Sequence, residues 1–170
     1  MEIYFDNAAT SHPKPPEVLR AVQEALTEHN ANPGRSGHAR ALRAGRIVLE
    51  TRESLARLLG AEDPMSVIFG FNCTDMLNLA IKGILRRGDH VVSSMLEHNS
   101  VLRVLSELER AGRIAVTLVS PRGDGMVDPD DIRRAVRPET RLVALTHASN
   151  VTGAIQPVAA VGALCRKLGV

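Results

Sequence analysis

A chain of 170 residues, 44% hydrophobic and 24% charged, is long enough to bury a sizeable core as one domain. With a net charge of +2, eighteen arginines spread among nineteen acids, and 2% aromatics, it has no basic stripe interleaved with stacking residues, so composition makes no case for nucleic acid. No apolar run approaches bilayer length, and Cys73 and Cys165 lie far apart without zinc or disulfide spacing, so neither a membrane nor a metal is expected. Glu2 and Asp6 stand where a secretory signal would need a basic start and an apolar core, and the expected location is the cytoplasm.

Residues 3–5 read as a short strand, and Asn7, Ala8, Ala9 and Thr10 lead into a proline-rich connector from Pro13 to Pro16. Pro15 and Pro16 open an amphipathic helix that ends near His29, with Val18, Ala21, Val22, Ala25 and Leu26 on one face. The loop from Asn30 to His38 is dense in turn formers (Asn30, Asn32, Pro33, Gly34, Ser36, Gly37) and carries Arg35 and His38. Its composition fits a solvated surface loop as well as a binding loop. A long helix over 41–59 follows, with Ile47, Val48, Thr51, Leu55, Leu58 and Leu59 at helical spacing and Gly60 as its stop.

From there the pattern alternates. Strands 66–69, 90–94, 114–119 and 141–146 lead to helices 74–86, 100–111, 129–136 and 157–168; Asp128 caps the third helix, Pro129 opens it, and Gly169 ends the fourth. Four βα units in succession predict an α/β fold with a parallel sheet covered by helices, its apolar strands buried. Gly70 breaks the first of these strands through its backbone freedom, and the Thr74 hydroxyl caps the helix that follows, with Met76, Leu77, Ala80, Ile81 and Ile84 on one face. Cys73 reads as a small buried residue.

Open parallel sheets bind ligands outside the carboxyl ends of their strands. That rule singles out three loops: Asn72-Cys73-Thr74, Glu97-His98-Asn99 and His147-Ala148-Ser149-Asn150. A helix N-terminus suits an anion, most often a phosphate, although a capped turn is also an ordinary connection. His98 reads either as a surface or capping residue or as a functional one, and Asn150 either as a turn former or as a ligand. An anion site, an imidazole and an amide facing one crevice would suit an aromatic, phosphorylated cofactor.

Four ordered stretches carry a family likeness: Tyr4-Phe5-Asp6-Asn7-Ala8-Ala9-Thr10, Phe69-Gly70-Phe71-Asn72-Cys73-Thr74-Asp75-Met76-Leu77-Asn78, Glu97-His98-Asn99-Ser100, and His147-Ala148-Ser149-Asn150-Val151-Thr152-Gly153-Ala154-Ile155-Gln156-Pro157. Together they resemble the class V aminotransferases, in the cysteine desulfurase branch of the pyridoxal-phosphate enzymes. The resemblance implies that 16–170 is the N-terminal portion of the large, cofactor-binding domain of a fold-type I transferase, mostly parallel and incomplete at its C-terminal end. Residues 1–15 would then line the active-site entrance. It implies pyridoxal 5′-phosphate as cofactor, with Asn72, Cys73 and Thr74 at its phosphate, His98 stacked on its ring as the catalytic proton carrier, and Asn150 near its phenolic oxygen. Asn7, Ala8, Arg35 and His38 would belong to the substrate entrance. The turn departs from the family pattern in having Phe71, Asn72 and Cys73 where small residues usually precede the threonine.

The reaction implied is removal of sulfur from L-cysteine, a small amino-acid substrate, through an aldimine with the cofactor, in a complete protein that is a homodimer. Another class V enzyme, such as a selenocysteine lyase or a small-molecule aminotransferase, shares these motifs. A non-catalytic split or degenerate partner and an unrelated nucleotide-binding α/β domain are further readings. The family's Schiff-base lysine and sulfur-accepting cysteine lie beyond the matched positions, and none of Lys14, Lys82 and Lys167 corresponds to that lysine. Residues 1–170 alone are therefore expected to be inactive. In the family, later strands separate strand 66–69 from the other three, so that strand is expected to lack neighbours here.

Overall fold

A proline at the first helical position loses no hydrogen bond, and α1 (Pro16–Thr27) starts there with no side-chain cap. The computed structural model describes residues 3–35 and 37–170 in two units, 1–69 and 70–170. Ser36, counted above among the turn formers, and Glu2, used in the signal reading, lie outside the described residues. In the first unit α2 (Ala39–Leu59) is capped by His38, whose Nδ1 accepts from the Ala41 amide at 3.2 Å. It ends at Gly60, where φ of 69° needs a glycine.

The faces picked out by periodicity in this unit are largely uncovered. Val18, Val22 and Leu26 of α1 are exposed, as are Ile47, Leu58 and Leu59 of α2, whose buried stripe is instead Ala41, Ala44 and Ala56. Periodicity finds an apolar surface but not which part of it has something to pack on.

Two expected strands do not form. Residues 3–5 enter no ladder; the Tyr4 hydroxyl instead reaches the carbonyls of Asp6 at 3.2 Å and Thr10 at 3.0 Å across a turn. In place of strand 66–69, Asp63 caps a single 3-10 turn, Pro64–Ser66, and residues 67–69 continue without pairing. A strand exists only where a neighbour accepts its hydrogen bonds, and the described sheet offers these segments none.

The second unit holds α3 (Cys73–Ile84), β1 (His90–Ser94), α4 (Asn99–Arg110), β2 (Ala115–Val119), α5 (Pro129–Ala135), β3 (Thr140–Ala144) and α6 (Val158–Leu168). Its sheet is parallel in the order β2-β1-β3, so the α/β class holds with three strands where four were expected. Because side chains alternate along a strand, Val91 faces one layer and Val92 the other. Val91 packs with Leu77, Ile81 and Leu85 and with Val101, Val104, Leu105 and Leu108, that is, with the α3 and α4 side. Val92 packs with Ile132 and Val161, the α5 and α6 side. Both valines are completely buried, each contributing about 1.5–3 kcal/mol. The expectation of uniformly buried strands holds for β1 alone; β2 and β3 are sheet edges and partly exposed.

At the amino end of β1 the buried His90 bonds on both sides, its Nδ1 2.7 Å from Thr140 Oγ1 and its Nε2 2.9 Å from Thr117 Oγ1. Arg137 also donates to both threonine hydroxyls. Burial lowers the His90 pKa below the ordinary 6.5, the nearby Arg137 charge lowers it further, and Glu139 opposes both. Among the described residues no helix is long and apolar enough to cross a membrane, and no three His, Cys, Asp or Glu side chains cluster as metal ligands.

Two outcomes are expected. The amides of Ile68 and Phe69, which donate no backbone hydrogen bond among the described residues, should exchange with deuterium far faster than those of Val92 and Ser93 in the doubly paired strand; equal protection would mean that 66–69 is a strand after all. The second concerns acid. An unfolded His90 takes up its proton near pH 6.5 and the folded one only at a lower pH, so stability should be level above about 6.5, fall as pH drops through that window, and level again below the folded value. Thermal midpoints from pH 8 to 4 check this, and Glu or Asp titration alone would leave the fall unchanged in His90→Gln.

Candidate active site

The first turn of α3 is built around Asn72. Its backbone is extended, its carbonyl accepts from the Met76 amide at 3.2 Å, and its Oδ1 accepts from the Asp75 amide at 2.9 Å. Asn72 is therefore the cap, and Thr74, expected to cap, is the second residue inside the helix. The consequence is chemical. Among the described residues the amides of Cys73 and Thr74 and the hydroxyl of Thr74 have no hydrogen-bond partner, and all are on exposed residues at the positive end of the helix.

At Gly70 φ is outside the left-handed region, and the Met76 side chain occupies the place a Cβ would take, its methyl 2.2 Å away, so a larger residue there would have to displace that flexible side chain. Cys73, expected to be buried, is exposed, because the helix's first turn projects it away from both cores.

The second loop begins where β1 stops. Met95 extends the ladder by donating to Val119 O at 3.0 Å; the chain then turns, and Glu97 folds back so that its Oε1 accepts from Ser94 Oγ at 2.7 Å. The same oxygen accepts from the Thr146 amide just past β3, at 2.8 Å. His98 follows as cap of α4: the Ser100 amide donates to its Nδ1 at 3.1 Å, and Ser100 Oγ lies 2.8 Å from that nitrogen. A backbone N–H can only donate, so Nδ1 is the acceptor and the neutral ring carries its proton on Nε2. His98 is thus a cap through Nδ1, and among the described residues its Nε2 makes no hydrogen bond. Thr74 and His98 line one cleft of about 290 Å³ with Asn78, Ser100 and Arg103.

Beyond β3 the chain forms a small hairpin closed by an antiparallel bridge between Ala148 and Ile155. Ser149 Oγ accepts from the amides of Val151 and Thr152, and Asn150 is exposed at the tip with no side-chain hydrogen bond among the described residues. The hairpin's base is fixed by buried Gln156, which accepts from the Val127 amide and donates to Gly125 O, both at 2.9 Å.

The structure therefore brings Thr74 and His98 to one cleft, with Asn72 and Cys73 in the same turn as Thr74. Asn150 is on the neighbouring strand's loop and does not line that cleft. Asn7, Ala8, Arg35 and His38 belong to the first unit: Asn7 holds its own turn by accepting from the His12 amide at 3.1 Å, Ala8 and Arg35 are exposed, and His38 caps α2. Glu97 and Gln156, both within the family stretches, carry no structural role of their own in the sequence reading. The signal for Glu97 was an acid placed between a buried strand end and a histidine-capped helix.

A phosphate monoester fits this donor set: the unpartnered amides of Cys73 and Thr74 and the Thr74 hydroxyl at a helix N-terminus, with Thr74 and His98 lining one cleft. The second unit is a parallel α/β domain, with His98 and Asn150 in the loops that follow the carboxyl ends of β1 and β3. The family description Aminotransferase class-V matches residues 3–170. The cysteine desulfurase IscS of Methylobacillus flagellatus is 38% identical over 173 residues, which are 99% of this chain and 42% of that protein. The protein of the same name from Proteus mirabilis is 34% identical over 176 residues, 100% of this chain and 43% of that one.

Among solved structures, one described as SspA in complex with cysteine superposes with a TM-score of 0.91 at 31% identity, covering 99% of this chain and 49% of that chain. An apo cysteine desulfurase from Thermococcus onnurineus NA1 gives 0.88 at 30% identity, with 99% and 42% covered. The chain belongs to the class V aminotransferase family, whose members generally depend on pyridoxal phosphate. It spans less than half the length of the curated relatives it matches.

The assignment of the cap predicts a contrast in stability. Asn72→Ala should destabilise the protein by about 1 kcal/mol, whereas Thr74→Ala, at a position whose hydroxyl bonds nothing, should change it by less than about 0.5 kcal/mol. Urea unfolding of the two variants measures this, and the reverse order would return the cap to Thr74.

Proposed function

We propose that residues 1–170 are the N-terminal part of a pyridoxal-phosphate-dependent cysteine desulfurase, which removes sulfur from L-cysteine. One observation carries this reading: Asn72 caps α3 and so leaves the Cys73 and Thr74 amides and the Thr74 hydroxyl for an anion, and Thr74 lines a cleft that His98 also lines. Similarity to proteins named cysteine desulfurases, and to a structure described as holding cysteine, supports the choice of substrate.

In this reading the Asn72 side chain orients the turn, while Cys73 holds the phosphate through its backbone N–H and Thr74 through its N–H and O–H, so the Cys73 side chain itself is not required. When bound, the cofactor supplies an electron sink that stabilises negative charge developing next to the amino-acid nitrogen. His98 contributes a flat, neutral ring whose Nδ1 is tied to the Ser100 amide, so that its mobile proton sits on Nε2. Asn150 would donate its amide N–H toward the cofactor's ring oxygen. The substrate is taken by the complete protein as a homodimer. A lysine to anchor the cofactor and a cysteine to receive sulfur are supplied outside these residues, and 1–170 alone is inactive.

Thr74→Ala and His98→Ala in the complete protein should fail differently. Losing one charge-assisted hydrogen bond costs about 1.5–3 kcal/mol, so Thr74→Ala should weaken cofactor retention roughly ten- to a hundredfold. His98→Ala should lower turnover more than cofactor affinity. Cofactor titration with parallel sulfide release tests both, and residues 1–170 expressed alone should release none. Cofactor affinity equal to wild type in Thr74→Ala would remove the phosphate assignment.

A further inference from the structure

The connections leaving β1 and β3 go to opposite faces of the sheet: β1 runs into α4, whose apolar side chains pack around Val91, and β3 runs into α6, whose side chains pack around Val92. Adjacent parallel strands with diverging connections open a crevice at their carboxyl ends. One side chain bridges it. Glu97 Oε1 accepts from Ser94 Oγ at 2.7 Å on the β1 side and from the Thr146 amide at 2.8 Å on the β3 side.

Glu97 is only 8% exposed, and no salt bridge among the described residues pairs it with a cation. Carboxylates are rarely buried this far without a positive partner. Packing does not require one here, since neither core includes it. What the position does is geometric. The residue after Glu97 is His98, and Thr146 begins the loop whose tip is Asn150. Ser94 Oγ completes the brace by accepting from the Leu96 amide at 3.2 Å.

We infer that Glu97 is a positioning residue: its single oxygen Oε1 holds the His98 loop to the first residues beyond β3, so that imidazole and hairpin stand in a fixed relation across the crevice. This rests on the functional reading above. Both bonds are accepted by one oxygen, so an amide oxygen can replace it and a thioether cannot. Glu97→Gln should behave as wild type, and Glu97→Met, which keeps the length and volume, should not.

In the complete protein, Glu97→Met should lower kcat about ten- to a hundredfold through misplacement of His98, while KM and cofactor affinity stay within about threefold. Glu97→Gln should stay within about threefold of wild type in all of these. Placed on His98→Ala, Glu97→Met should add no further loss, because two residues acting as a unit are not additive. A readout independent of activity is the Thr146 amide in the cofactor-free protein, whose deuterium exchange should quicken in Glu97→Met and not in Glu97→Gln. If Glu97→Met does not fold, Ser94→Ala, which removes one of the two donors, should give a smaller kcat loss that also vanishes on His98→Ala. Equal impairment by Gln and Met, a multiplicative loss in the double variant, or unchanged Thr146 exchange would overturn the role. A wild-type protein that takes up no pyridoxal phosphate or releases no sulfur would overturn the functional reading and this role together, whereas an active wild type matched by Glu97→Met overturns this role alone.

Discussion

β1 is hydrogen-bonded along both edges and buried on both faces, and the chemistry of the second unit is placed by where it stops. Its five residues fix the register of β2 and β3 at once, so the loops after β1 and β3 leave the sheet at a set separation. Val91 and Val92 then commit α3 and α4 to one face and α5 and α6 to the other. That division sends the two outgoing chains apart and opens the crevice. The amino end is closed just as firmly, by His90 between two threonines that Arg137 also reaches, so the strand is pinned at the end away from the site by a polar network that includes one cation.

The same capping device occurs twice and explains how a histidine can be structural and still available. His38 and His98 each present Nδ1 to an amide of the helix they precede, at 3.2 Å and 3.1 Å. In each the ring's second nitrogen is left over. Asn72 works on the same principle at α3, where a side chain that takes the third residue's amide leaves the first two amides unpartnered. That the Cys73 and Thr74 amides and the Thr74 hydroxyl stay unpartnered among the described residues is thus a result of which residue caps the turn. A threonine cap would have used up the hydroxyl that the reading needs.

Helices were legible in the sequence because their ends carry local chemistry: Pro16, Asp128 with Pro129, Gly60 and Gly169 all stand where the chain turns in or out of a helix. β1, β2 and β3 were legible because continuous apolar runs flanked by helices have few other fates. Residues 3–5 were misread for a physical reason: strand formation is decided by a neighbour, which a local window does not show. For 66–69 the family resemblance already implied that Ile68 and Phe69 have no neighbour, and without one the segment forms no strand. The site was legible as loops and motif residues, Thr74 and His98 above all. Which of Asn72 and Thr74 caps could not be read, since both side chains are good acceptors and only backbone direction decides. Glu97 stayed hidden because a glutamate in a loop reads as solvated until its burial and its two donors are seen.

The account turns on one claim, that the first turn of α3 receives a phosphate. The most direct measurement is a crystal structure of the complete protein grown with pyridoxal phosphate. The account predicts phosphate oxygens within hydrogen-bonding distance of the Cys73 and Thr74 amides and the Thr74 hydroxyl, with the His98 ring beside the cofactor and Asn72 still capping Asp75. A cofactor phosphate held elsewhere, with the Thr74 hydroxyl facing only solvent, would contradict it.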